Sequence, residues 1–191
     1  NQAVNWQIPE GFRRHKLDAD GLMGDSPFWG PFWDLPEFSN AEHKLILKVR
    51  SAIYHVLSIY GKQQGTYSLI HADLNPGNVV LNNDQLYLID FDDAGFGWHQ
   101  YELAVALFYY QSTAYFNTAR DALIAGYRSE RTLDDMAVEL LPMYLLIRAL
   151  ALLGWSEERP ELRNEGRKKR LIELACAQAD DFLLQQNYLY S

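Results

Sequence analysis

His71-Ala72-Asp73-Leu74-Asn75-Pro76-Gly77-Asn78, followed by Leu88-Ile89-Asp90-Phe91-Asp92, carries more structural information than any other part of the chain. It has the form H-x-D-x-x-x-x-N, then a short hairpin, then an apolar strand that ends in aspartate. Phosphoryl transfer from a nucleotide needs these groups in this order. One carboxylate receives or orients the acceptor hydroxyl, and an amide and a second carboxylate hold the metal that bridges the phosphates.

Asp73 is the candidate catalytic residue, able to take the acceptor proton late in a loose transition state. The plainer reading is a turn aspartate capping a loop. Asn78 offers a neutral oxygen suited to magnesium, and its plainer reading is an asparagine in a Pro-Gly turn. The spacing of Asp73, Asn78 and Asp90 together favours the functional reading. Asp90 ends an apolar strand, where an ionised carboxylate needs a partner, and a divalent metal is a good one. Strand alternation, if it continues past Asp90, makes Asp92 a candidate second metal contact. Asp93 reads as a surface or capping residue. His71 reads as structural support of the loop, its ring hydrogen-bonding backbone near Asp90. His15, His43, His55 and His99 show no metal-ligand spacing.

Outward from this stretch, Tyr67-Ser68-Leu69-Ile70 reads as a strand, and Val79–Leu81 and Leu86–Ile89 as a hairpin turning at 82–84. The hairpin brings Asn78 and Asp90 to the same end of two adjacent strands. Upstream, Ser39 or Asn40 caps a helix running to about Tyr60, with Gly61 as its stop. Residues 1–38 are dense in Trp, Pro and Gly, including Trp6, Trp29 and Trp33, and read as an irregular aromatic-rich segment packed on the domain. Downstream, the pattern predicts helices near 100–115, 117–128, 133–154 and 160–186. Pro142 lies where a helix would kink or restart, and Thr132 with Asp135 resembles a capping box. Arg167–Arg170 is expected to be a solvated basic face.

Composition sets outer bounds. The chain has 191 residues, is 48% hydrophobic and 14% aromatic, and carries a formal net charge of −8. That suits one domain with a substantial core. It argues against nonspecific nucleic-acid binding and favours cationic or neutral partners. A single cysteine, Cys176, rules out an internal disulfide and fits a reducing cytoplasm. The apolar run Leu140–Trp155 is too short to span a bilayer and is interrupted by Pro142 and Arg148, so it reads as a core helix rather than a membrane segment.

The segment Leu69–Leu107 resembles the aminoglycoside phosphotransferase and choline kinase family, a branch of the protein-kinase-like fold. The likeness rests on Leu69–Val79, on Leu88–Gly97, on Tyr101-Glu102-Leu103-Ala104 with Glu for the family's Asp, and on Gly24–Gly30. It implies a mainly helical α+β architecture, the C-terminal lobe of a protein-kinase-like fold, with a small β-hairpin carrying the metal site. It implies Asp73 as base, Asn78 and Asp90 as Mg2+ ligands, and His71 as the loop-holding residue. ATP is the implied nucleotide, with GTP as the alternative. A hydroxyl of a small molecule is the implied acceptor: an aminoglycoside, choline or a similar amino alcohol.

Departures select the branch. Eukaryotic protein kinases place Lys two residues after the catalytic Asp, where this chain has Asn75; they have Asp-Phe-Gly, where it has Asp90-Phe91-Asp92; and no Ala-Pro-Glu ending follows. A glycine-rich hairpin and a strand lysine, which grip the phosphates in such enzymes, are not found before His71. The expectation is therefore a single C-terminal lobe that needs an N-terminal nucleotide-binding lobe as partner and has negligible activity alone. An acidic chain with Phe96, Trp98, Tyr101, Phe108, Tyr109 and Tyr110 after the motif suits a cationic acceptor. The 101–110 stripe reads mainly as core, and Trp98 and His99 stand as candidate substrate contacts. Two other readings are open: a metal-dependent hydrolase using His71, Asp73 and Asp90, and a non-catalytic kinase-like binding or regulatory domain.

Overall fold

A computed structural model describes residues 7–63, 65–162 and 164–189; Trp6 lies outside the described residues. In chain order the elements are β1 (Lys16–Leu17), α1 (Ala19–Met23), α2 (Asn40–Tyr60), β2 (Tyr67–Ile70), a 3-10 turn (Pro76–Asn78), β3 (Val79–Asn82), β4 (Gln85–Leu88), β5 (Gly95–Trp98), α3 (His99–Phe108), α4 (Phe116–Glu130), α5 (Asp135–Glu139), α6 (Leu141–Glu157), a second 3-10 turn (Pro160–Leu162) and α7 (Glu165–Leu189). The chain is mainly helical with two small sheets. One sheet has the order β1-β5-β2, and the other is the β3-β4 hairpin.

The chain divides into two compact units, residues 1–16 with 62–145 and residues 17–61 with 146–191. The aromatic-rich segment read as one piece over 1–38 is shared between them. In the first unit, β2 and β5 pair antiparallel with Tyr67 opposite Trp98 and Ile70 opposite Gly95. Helix α3 follows β5 directly and buries Tyr101, Ala104, Val105 and Leu107. In the hairpin, Val79 lies opposite Leu88 and Asn82 opposite Gln85. Asn83 and Asp84 both take positive φ, 48° and 61°, the backbone that a two-residue turn of the primed type needs, and asparagine and aspartate tolerate it better than most residues.

In the second unit, Ser39 caps α2 through a reciprocal box with Glu42. The buried stripe Ile46, Val49, Ile53 and Leu57 recurs at helical spacing. Helix α2 packs on α1 and α7. Ala175, Ala179 and Phe182 line the buried side of α7, and Trp29, Phe32 and Leu35 bury their side chains as well. At Gly154 helix and loop come close together: a Cβ there would lie 2.6 Å from the Gly30 carbonyl oxygen and 2.7 Å from that of Trp29.

Several boundaries differ from the sequence expectation. The helix expected over 100–115 ends at Phe108. Beyond it, Thr113 turns the chain by bonding the Tyr110 carbonyl through both its amide and its hydroxyl. The helix expected over 133–154 is two helices that meet at Leu140, beside Pro142. Its cap is Asp134, which accepts from the Ala137 amide at 2.7 Å, not Thr132. β1 and α1 are too short for a periodicity to register, and β5 (Gly95-Phe96-Gly97-Trp98) carries two glycines that break the apolar run. Lys168, expected on a solvated face, is buried and bonded to Glu37 at 2.6 Å and Glu157 at 2.7 Å. Burial alone would push its ammonium down; the two glutamates outweigh that and raise it. Residues 135–157 are apolar and long enough to cross a bilayer, but most of that stretch is buried within the protein.

Gly154→Ala is expected to destabilise by about 1–3 kcal/mol, because rigid backbone must move to admit the methyl group. Gly126→Ala, in open space on α4, is expected to stabilise by about 0.5–1 kcal/mol through helix propensity. Denaturant midpoints of the two variants should move in opposite directions; a common direction would contradict the packing.

Candidate active site

The site is built on the loop between β2 and the hairpin, within the first unit. Ala72 stands in the left-handed region at φ 65°, a conformation that costs about 1 kcal/mol for a residue with a Cβ. It persists because the loop is held from below. The carboxylate of Glu102, in the first turn of α3, accepts the His71 amide on Oε1 and the Ala72 amide on Oε2, each at 2.8 Å. Both are charge-assisted bonds to groups that would otherwise be left without partners. The His71 ring does the rest. Its Nδ1 lies 3.3 Å from the Asp73 amide, which donates to it, so Nε2 carries the proton and donates to the Ile89 carbonyl at 2.9 Å. The ring packs against Phe91 at 4.4 Å. His71 therefore ties the Asp73 loop to the residue before Asp90.

Asp73 is half-buried. Its Oδ2 accepts from the Asn75 side-chain amide at 3.0 Å and from the Asn78 side-chain amide at 2.9 Å. The Asn78 carbonyl oxygen of the backbone accepts from the Ile89 amide at 3.1 Å, which extends the hairpin by one step and sets Asn78 next to the Asp90 turn. Asp90 itself is exposed and takes φ 65°. The strand stops at Leu88, so the alternation that would align Asp92 with Asp90 does not run through. Asp92 lies in the following turn, where its backbone carbonyl accepts from Arg14 at 3.0 Å. The Asp93 carbonyl meets the His15 ring at 3.0 Å. Gly95 is needed for that approach, since a Cβ would lie 2.5 Å from the ring.

The donor set suits a hard divalent cation. With its Nδ2 turned to Asp73, Asn78 presents Oδ1 elsewhere, and no hydrogen bond or ion pair among the described residues holds the Asp90 carboxylate. No three His, Cys, Asp or Glu side chains among the described residues converge on one point. Magnesium is typically held by one or two carboxylates, with phosphates and water completing its shell. A transition-metal centre would want the convergent nitrogen or sulfur ligands that are lacking among them.

Two residues expected near an acceptor are placed otherwise. Trp98 is 1% exposed, packed edge-on to Tyr67 at 5.3 Å. His99 is 6% exposed, with its Nε2 2.8 Å from the Ser68 hydroxyl. Both are core residues, because β5 and the start of α3 face the interior. Burial, with Arg131 adding to it, pushes His99 down to about 4. Of the aromatic stripe, Tyr101 and Phe108 are buried and Tyr109 is exposed. Cys176 is half-buried and its thiol is pushed up to about 11, chiefly by burial, so it stays protonated. Sequence reading noticed Glu102 and Asn75 only as departures from a pattern. A carboxylate in the first turn of the helix that follows β5 was the available signal for Glu102.

Residues 12–138 match the phosphotransferase enzyme family, and the chain belongs to that family. It is 34% identical over 155 residues to a homoserine kinase of Sinorhizobium medicae (strain WSM419), a match that covers 78% of this chain and 46% of that protein. It is 25% identical over 171 residues to the amicoumacin kinase of Bacillus subtilis (strain 168), covering 82% of this chain and 51% of that one. The solved structure of a microcompartment-associated aminopropanol kinase superposes with a TM-score of 0.83 at 29% identity, over 96% of this chain and 58% of that one. The fold is thus that of the protein-kinase-like small-molecule kinases. The chain spans about half the length of the curated relatives it matches.

Glu102→Gln replaces one acceptor oxygen by a donor and should cost about 1–3 kcal/mol, with faster hydrogen exchange at His71 and Ala72. Unchanged exchange at those amides would contradict the grip. His99 is neutral in the folded chain down to about pH 4, whereas the unfolded chain takes up that proton near 6.5. The unfolded state thus binds more protons between these values, and stability should fall as pH drops from 6.5 towards 4, by about 3 kcal/mol in total from this group. Denaturant titrations across that window should show a shallower fall in His99→Gln; parallel curves would rule the contribution out.

Proposed function

We propose that this chain forms the acceptor-and-metal half of a phosphotransferase that moves the γ-phosphoryl group of ATP to a hydroxyl of a small molecule. One observation carries the reading. Two asparagine amides grip the Asp73 carboxylate, and the Asn78–Ile89 bond brings an uncommitted Asp90 to the same end of the hairpin. Asp73 orients the acceptor hydroxyl and takes its proton as the new O–P bond forms. Asn78 and Asp90 would hold Mg2+, which neutralises charge on the phosphates when bound. His71 keeps Asp73 and the Asp90 turn at a fixed separation. The phosphate-gripping half of the chemistry comes from an N-terminal lobe outside these 191 residues, consistent with a span of about half of the matched relatives.

The acceptor we propose is an amine-bearing alcohol. The net charge of −8 favours a cation, and relatives named for homoserine and aminopropanol give the first compounds to try. Trp98 and His99 are not proposed as its contacts. A cytoplasmic location fits a chain with one cysteine and a nucleotide substrate.

The test is ATP consumption with Mg2+ by the protein carrying its N-terminal lobe, over a panel of 1-amino-2-propanol, homoserine and choline. Asp73→Asn should lower kcat by about 100-fold or more while the KM for ATP changes little. Asp90→Asn should weaken Mg2+ binding measured calorimetrically. Equal turnover by Asp73→Asn and parent would refute the assignment.

A further inference from the structure

We infer that Arg14 and His15 are positioning residues for the metal turn: by holding the Asp92 and Asp93 carbonyls from outside the motif, they fix where Asp90 presents its carboxylate. The inference rests on the phosphotransferase reading above, with Asp90 as a Mg2+ ligand. Asp90 stands at φ 65°, past the end of β4, so strand geometry does not hold it there. It is anchored on both sides instead. Before it, the Ile89 carbonyl accepts from the His71 ring at 2.9 Å. After it, Phe91 to Ala94 close a tight turn, with the Ala94 amide donating to the Phe91 carbonyl at 3.1 Å. The carbonyls of the two central residues take no part in that closing bond and need donors from elsewhere. Arg14 and His15 supply them. Arg14 Nη1 donates to the Asp92 carbonyl and the His15 ring to the Asp93 carbonyl, each at 3.0 Å.

Both donors come from 78 positions upstream, within the same compact unit. The His15 carbonyl accepts from the Phe96 amide at 3.0 Å, which lays residue 15 beside β5 directly after the turn. A carbonyl can only accept, so the His15 Nε2 facing Asp93 carries a proton. Gly95 makes room for that ring: a Cβ there would lie 2.5 Å from Nε2 and 3.0 Å from the His15 carbonyl oxygen. The plainer reading is that residues 14 and 15 only seat β1 on the sheet. Seating needs the backbone bond to Phe96 and nothing more, whereas here two consecutive side chains reach the two central carbonyls of one turn. Arg14 is exposed, and a positive charge by itself would repel a metal cation, so its use to the site lies in the bond that it makes.

Calorimetric titration with Mg2+ of the protein carrying its N-terminal lobe tests the inference. His15→Ala should weaken Mg2+ binding about 10- to 100-fold, the usual loss when a group behind a metal ligand is removed, and the Mg2+ dependence of turnover should shift with it. His15→Gln keeps an N–H donor at a similar reach and should recover most of the affinity. Gly95→Ala, which displaces the ring, should act in the direction of His15→Ala. Arg14→Ala should weaken binding too; loss of its charge alone would tighten it, so unchanged or tighter binding overturns the role of Arg14. In an Asp90→Asn background, His15→Ala should weaken binding no further, because it works through Asp90. Undiminished affinity in His15→Ala, an equal loss in both backgrounds, or no recovery in His15→Gln overturns the inference. Undiminished affinity in Asp90→Asn alone would instead overturn the reading beneath it. Hydrogen exchange at the Ala94 amide gives a second measure: it should quicken in His15→Ala, and an unchanged rate would overturn the hold on the turn.

Discussion

The carboxylate of Glu102 is the contact on which the rest of the site depends. It takes two backbone amides from the loop above it at 2.8 Å each. Without it, those amides would be buried with no partner, and Ala72 would have little to keep it at positive φ. With it, the chain turns sharply after β2, and the next residue, Asp73, projects towards the hairpin. Everything that follows is relayed from that turn: the His71 ring to the Ile89 carbonyl, the asparagine amides to Asp73, and the Asn78–Ile89 step that carries the hairpin down to Asp90.

The site is therefore made of short bonds between neighbours rather than of one deep pocket. Its acids remain near the surface. Asp90 and Asp92 are exposed, Asp73 is half-buried, and the apolar side chains of β3 and β4 around them, such as Leu81 and Leu86, are largely exposed too. A carboxylate that works on a substrate must be within the substrate's reach, and one that binds a metal must keep its lone pairs uncommitted. The supporting groups can be buried and fully bonded because they never meet a ligand. His71 and His99 show the division: both are buried, one bracing the loop and the other closing the core under β2.

Much of this was legible in the sequence. The spacing of Asp73, Asn78 and Asp90 gave the family and the fold class. Two short apolar runs on either side of Asn82-Asn83-Asp84 gave the hairpin, and a three-and-four residue stripe gave α2. The readings that missed did so for identifiable reasons. Asp92 was placed by an alternation that stops when Asp90 turns left-handed, and periodicity cannot register a single φ. Trp98 and His99 stand next to the motif in sequence, yet the pairing of β5 with β2 turns them inward. Lys168 sits among basic residues that are exposed, but two glutamates distant in sequence draw it into the interior.

Residue order alone set which chemical groups the site contains and how they follow one another, because spacing along a loop and a hairpin is a local property. What holds them is set by packing between elements that lie apart in the chain. Glu102, His71 and Asn75 act across turns and between elements. Whether a carboxylate caps a loop, binds a metal or takes a proton depends on which of its oxygens are already occupied.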